Sequence, residues 1–181
     1  MSILIETERL ILRQFTGEDA EALNAVCNQE YILKWMPDWK VTVAQSRGWI
    51  NRIESQYSKA NKVTARVMLA VTLKENKELI GMVGIGNKKE VDNEIEIAYF
   101  ISEKYSNKGY ISEAAREMVQ WAFNVLEIEY LIAIVELDNF PSQRIVEKCE
   151  FSKLATKMIL NSGDTAEKPF FYYRIYNKCQ S

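Results

Sequence analysis

Residues 103–118 read EKYSNKGYISEAAREM and place one glycine, Gly109, where an amphipathic helix is about to begin. A helix start leaves its first N–H groups unpaired and carries about half a positive charge from aligned peptide dipoles. Glycine just ahead of it lets an anion reach the backbone without meeting a Cβ. Residues 106–111 lie between strand-like and helix-like sequence, and Lys104 and Lys108 add positive charge nearby. Such a stretch can cradle a pyrophosphate, and it equally fits a tight turn with no ligand. It is neither a Walker loop, lacking the GKS or GKT ending, nor a dinucleotide fingerprint with three glycines.

The remaining chemical inventory is narrow. No histidine occurs among the 181 residues, which removes the Ser-His-Asp and Cys-His arrangements and most zinc chemistries. Three cysteines, Cys27, Cys149 and Cys179, are odd in number and form no CxxC pair, so no disulfide frame and no metal site is expected. A net charge of −2, with charges interspersed apart from short clusters such as NKKE at 87–90, argues against a nucleic-acid groove. No apolar run approaches a membrane span, and the Met-Ser-Ile start lacks the pattern of a leader, so a cytoplasmic protein without a membrane partner is expected. Catalysis must therefore use carboxylates, hydroxyls, backbone amides or a cofactor.

The elements that must position these groups follow from pattern. With 48% hydrophobic and 27% charged residues and no repeat or linker, residues 1–181 read as one domain. TERLILRQF at 7–15 is strand-like. Thr16 with Asp19 caps a helix to about Cys27, and the capping-box pair Thr42 and Gln45 opens another to about Lys59. Residues 63–73 and 78–86 flank a KENK turn as a hairpin, and EIEIAYFI at 94–101 alternates cleanly. A helix runs from about Ile111, where apolar residues recur at Ala114, Ala115, Met118, Ala122 and Val125. An apolar strand at 130–137 precedes a short helix whose cap and first turn suit Asn139 and Pro141. A hairpin around a turn at 161–164 closes the chain. The fold class is mixed α/β, with about seven strands and about four helices.

The loop SNKGYISEA resembles motif A of the GNAT superfamily of acetyl-CoA-dependent N-acyltransferases, written Q/R-x-x-G-x-G/A, with Gly109 as its glycine. TERLILRQF resembles the opening strand of the branch that acetylates ribosomal-protein N-termini (Rim-type). IAYFISEKYSNKGYISEA is similar to that branch's fourth-strand, loop and helix block, and NFPSQRIVEKCEF to its N-x-x-S-x-x-x-x-E-K-x-G-F block. These matches run in family order from Thr7 to Phe151. The resemblance implies a mostly antiparallel twisted sheet splayed between its fourth and fifth strands, at 94–101 and 130–137. Acetyl-CoA would lie in that gap. Strand backbone at Tyr99, Phe100 and Ile101 would pair with the pantetheine arm. Amides of Ser106, Asn107, Lys108, Gly109, Tyr110 and Ile111 would hold the pyrophosphate, and Asn139 and Ser142 would lie near the thioester and pantetheine. The reaction implied is direct attack of an amine, on a peptide N-terminus or a small molecule, without metal or covalent enzyme intermediate.

Departures from the pattern bear on this. Ser106 stands where Gln or Arg is common. Ile111 replaces Gly or Ala, and its side chain either crowds the pyrophosphate or turns into the core. Glu150 replaces the usual Gly, at a cost of about 1 kcal/mol if it caps a helix left-handedly. Val146 holds the place of a tyrosine that serves other branches as general acid, so Ser142 becomes the candidate proton or hydrogen-bond donor to the leaving sulfur. The penultimate strand carries no carboxylate over 153–160, so Glu96 is the candidate base, with Glu94 and Glu136 in reserve; a solvated strand face is the competing reading for Glu96. Trp35, Trp39 and Phe170–Tyr173 are read either as core or as pocket wall, and the terminal hairpin offers an edge for a homodimer. The same departures suit a catalytically weak acyl-CoA-binding module, the alternative to an enzyme.

Overall fold

One mixed sheet organises the fold. The computed structural model describes residues 2–161 and 164–178; the centre of the expected 161–164 turn and Cys179 lie outside them. The opening strand expected at 7–15 forms as β2 (Leu10–Gln14), and a shorter strand ahead of it that the sequence reading did not name, β1 (Leu4–Glu6), pairs with it. They turn on Thr7, whose hydroxyl accepts from the Leu10 N–H at 2.9 Å while its own N–H donates to the Leu10 carbonyl at 3.0 Å. A short 3-10 turn then leads into α1 (Ala20–Cys27). There the Thr16 N–H donates to the Asp19 carboxylate at 2.8 Å, and Arg13 grips the same carboxylate with two bonds of 2.7 Å.

A four-residue helix, α2 (Glu30–Leu33), is too short to announce itself by periodicity. In α3 (Val43–Glu54) the capping box forms as expected, Thr42 N–H to Gln45 Oε1 at 2.8 Å and Gln45 N–H to Thr42 Oγ1 at 3.2 Å. The helix stops at Glu54, and residues 57–59 are a separate 3-10 turn.

The remaining elements are β3 (Arg66–Leu73), β4 (Leu79–Lys88), β5 (Glu94–Ile101), α4 (Tyr110–Val125), β6 (Tyr130–Glu136), α5 (Phe140–Lys148), β7 (Ser152–Ile159) and β8 (Lys168–Tyr176). The sheet has eight strands in the order β1-β2-β3-β4-β5-β6-β8-β7. All neighbours run antiparallel except β5 and β6. Because β8 inserts between β6 and β7, the outer edge at that end belongs to β7. On one face, Ile97 and Ile101 of β5 pack with Ala114, Ala115 and Met118 of α4 and with Val146 of α5. On the other, Phe100 packs with Leu23 of α1 and Ile50 of α3. The alternation of 94–101 is therefore real, but both faces are covered.

Candidate active site

Strands β5 and β6 share a single parallel register pair, Glu96 with Ile132. Past that pair they diverge, so the β6-facing edge of Tyr99, Phe100 and Ile101 has no strand partner among the described residues. A cleft of about 560 Å³ opens there, within the range of small-molecule sites. Its lining includes Tyr99, Ile111, Asn139 and Ser142 together with Trp35, Trp39, Glu96, Glu136 and Phe170.

The segment ahead of α4 meets this opening through Ile111, which lines it. Asn107 and Gly109 both adopt left-handed backbone, with φ of 59° and 82°. The first helical bond is Glu113 N–H to the Gly109 carbonyl at 3.0 Å. The N–H groups of Asn107, Lys108, Gly109, Tyr110 and Ile111 therefore find no acceptor within the described residues. Ser106 departs from the expectation. Its N–H already donates to the Glu103 carbonyl at 3.0 Å, and its hydroxyl donates there too, at 2.8 Å, because residues 103–105 form a 3-10 turn that uses this donor. The two open possibilities for Ile111 resolve toward burial: its side chain joins the core beneath α4. Lys104 is engaged with Glu78 at 3.5 Å.

Asn139 plays the cap, its Oδ1 accepting from the Ser142 N–H at 3.2 Å. Its Nδ2 and the Ser142 Oγ donate to nothing among the described residues and border the cleft. The Tyr99 hydroxyl donates to the Ser142 carbonyl at 3.2 Å and so ties β5 to the first turn of α5. Burial pushes that hydroxyl well above its ordinary pKa, so it remains protonated. Only the backbone of Tyr99 was expected at the site; the signal for its side chain is its place in the alternation, facing α5. Val146 is buried in the core.

The three candidate carboxylates separate clearly. Glu94 is tied up: the Arg174 Nη2 lies 2.7 Å from it and the Tyr172 hydroxyl 2.9 Å. Glu136 borders the cleft through its side of β6. Glu96 sits at the crotch of the splay, where burial pushes its carboxyl from an ordinary 4.5 up to about 7. Lys88 and the Ile134 N–H pull it down, while Glu90 and Glu136 push it up further. It is half-buried and lines the cleft. A carboxyl so placed exchanges its proton near neutral pH.

Trp39 meets the Phe100 ring edge-on at 5.0 Å and Trp49 at 5.2 Å, and Trp35 lies under the Lys34 ammonium. Trp39 is thus packed and cleft-lining at once, and Trp35 lines the cleft. Phe170 and Tyr172 are buried together with Ile132 and Ile159 on the same side of the sheet.

Against known proteins, residues 9–152 match the acetyltransferase (GNAT) domain model. The chain belongs to the GNAT acetyltransferases. The uncharacterized N-acetyltransferase p20 of Bacillus licheniformis is 30% identical over 150 residues, 81% of each chain. Among solved structures, a GNAT-family acetyltransferase from Bacillus anthracis superposes with a TM-score of 0.80 at 26% identity, over 97% of this chain and 99% of that one. RimJ of Mycobacterium smegmatis, solved with CoA-disulfide, matches the fold at a TM-score of 0.74 and 18% identity, covering 92% and 81%. This GNAT chain is thus an acetyltransferase, with Rim-type proteins among those it resembles.

Sequence reasoning missed Arg9 and Glu113. The Glu113 carboxylate accepts from the Thr7 hydroxyl, from the Arg9 N–H at 3.0 Å and from the Arg9 Nε at 2.7 Å. No local signal joins residues 104 apart in the sequence.

Proposed function

We propose that this chain transfers an acetyl group from acetyl-CoA to a primary amine by direct attack on the thioester. One observation supports the reading above others: the unpaired strand edge and a carboxyl shifted to about 7 border one cleft, and Ile111, at the end of the loop with bare amides, lines it too. Amides of Asn107–Ile111, at the positive end of α4, suit a diphosphate. The open edge of Tyr99, Phe100 and Ile101 suits an extended arm bearing amides, as an added strand would pair.

In this reading Glu96 accepts the proton of the incoming ammonium, directly or through a water. An α-amine has a pKa near 8 and a lysine-like amine near 10, so a base near 7 is better matched than an ordinary carboxylate. Ser142 Oγ donates to the sulfur as the thiolate leaves, and Asn139 Nδ2 holds the neighbouring carbonyl or amide of the arm. The acceptor half, with Glu96, Glu136 and Asp38 beside Trp35 and Trp39, suits a cationic amine on a peptide N-terminus or a small molecule, and the Rim-type likeness favours the former.

The test follows thiol release from acetyl-CoA across a panel of N-terminal peptides, polyamines, aminoglycosides and amino acids. Turnover with at least one class, lowered roughly tenfold or more in Ser142→Ala, supports the reading. CoA binding by calorimetry with no turnover on any class would instead identify a non-catalytic acyl-CoA-binding module.

A further inference from the structure

We propose that Arg9 is a positioning residue for the donor's diphosphate, clamping the loop ahead of α4 into its ligand-ready shape from the N-terminal hairpin. The inference rests on the acetyl-CoA reading of that loop. Arg9 lies at the tip of the β1–β2 hairpin and makes four separate contacts with the loop and the helix it opens. Its Nε and Nη2 both lie 2.7 Å from Glu113 Oε2. Its Nη1 donates to the Lys108 carbonyl at 3.0 Å. Its guanidinium carbon sits 4.3 Å from the centroid of the Tyr110 ring. A Cβ at Gly109 would come 3.4 Å from its Nη2.

These contacts act on the peptide units whose N–H groups stand free. Bonding the Lys108 carbonyl fixes the Lys108–Gly109 peptide plane, and hence the direction of the Gly109 N–H. Stacking on Tyr110 and bonding Glu113 fix the first turn of α4. The glycine answers the demand for left-handed backbone at this point, with the guanidinium packed alongside it. Asn107, also left-handed, costs conformational energy that such a brace offsets. Glu113 is itself anchored by the Thr7 hydroxyl, and although burial raises its pKa, Thr7 and Arg9 together bring it below the ordinary value. It is a charged anchor at all working pH values, close to a helix N-terminus where a carboxylate is favoured. Lysine cannot reproduce the clamp, because the planar fork reaches Glu113 and the Lys108 carbonyl together.

The experiment compares two donors, acetyl-CoA and S-acetylpantetheine, which lacks the diphosphate, on the wild-type protein and on Arg9→Lys and Glu113→Gln. Wild type should favour acetyl-CoA. In Arg9→Lys the KM for acetyl-CoA should rise at least roughly tenfold, as loss of one charge-assisted bond gives, with kcat within about twofold. Its kcat/KM for S-acetylpantetheine should stay at the wild-type level, and Glu113→Gln should shift the same way. An equal loss on both donors would mean a merely structural role and overturn the proposal, as would an unchanged KM for acetyl-CoA. If wild type itself shows no preference between the donors, the diphosphate cradle is wrong and the clamp falls with it. A thermal melt of each variant accompanies the kinetics, and Glu113→Gln serves as the second probe if Arg9→Lys fails to fold.

Discussion

Glu96→Gln should make this acetyltransferase more stable and less active, each in a pH-dependent way. Moving the carboxyl from 4.5 to about 7 costs its ionised form about 3 kcal/mol relative to the unfolded chain. For a carboxyl whose folded pKa is raised, the folded state holds its proton longer, so stability is highest below about 4.5. It declines as pH rises toward 7 and is level above that. Glutamine has nothing to titrate and keeps an oxygen for the Ile134 N–H. The variant should therefore match wild type near pH 4.5 and exceed it by about 3 kcal/mol, several degrees in Tm, at pH 8. Loss of the base should meanwhile lower kcat/KM about a hundredfold or more at pH 8. With the same amine on both proteins the amine's own titration cancels, so the wild-type to variant ratio should climb with pH up to about 7 and then level. Denaturant melts at pH 5 and 8 and rate profiles between pH 5.5 and 9 measure both effects. A stability difference equal at the two pH values, or a ratio flat across pH 7, would refute the assignment of Glu96 as a buried, titrating base.

Three further predictions test the frame around the site. Gly109→Ala should destabilise by about 1–2 kcal/mol, since φ is 82°, and should raise the KM for acetyl-CoA more than it lowers kcat. Glu150, which follows α5 with φ of 67°, is the left-handed cap that the sequence suggested. Glu150→Gly should stabilise by about 1 kcal/mol, raising Tm by about 2–4 °C in a calorimetric scan, because the bond to Lys178 that it loses is solvent-exposed. Asp19 is pushed up by burial, but Arg13 and the Thr16 N–H bring it below its ordinary value. Its contribution is therefore present above about pH 4 and lost as pH falls further. Asp19→Asn should cost about 2–3 kcal/mol at pH 7 in urea melts, with the difference shrinking toward pH 3.

What the sequence reveals and what it hides divide along contact range. The Thr42–Gln45 box and the Asn139 cap with Pro141 are legible because each bond spans three residues and only a few residue types can make it. The gap between β5 and β6 is legible only through the family likeness, since nothing in either strand's own pattern says that they part after one pair. Two elements go unread for local reasons: β1 is only three residues long, and α2 is shorter than two helical turns. The deeper omission is chemical. Glu94 and Glu96 are the same residue type, two apart, on the same face of one strand. What separates an ion-paired carboxylate from a titrating one is Arg174, 80 residues away on β8, which reaches the first and not the second.

That separation follows from the sheet itself. Strand β8 pairs with β6 in the register Ile132 with Arg174, and Ile132 is also the residue opposite Glu96 across the one parallel pair. Arg174 is therefore near enough to neutralise one glutamate of β5. By bonding Glu94, at the paired end, it leaves Glu96 facing the opening with Lys88 and the Ile134 N–H to offset burial. Arg174→Met should thus leave the Glu94 carboxylate without its counter-charge near Glu96, beside the repulsion from Glu90 and Glu136. The wild-type inflection near pH 7 should move to higher pH in that variant, since a like charge disfavours ionisation. An unmoved inflection would show that the two carboxylates do not sense each other and that the register does not set the base.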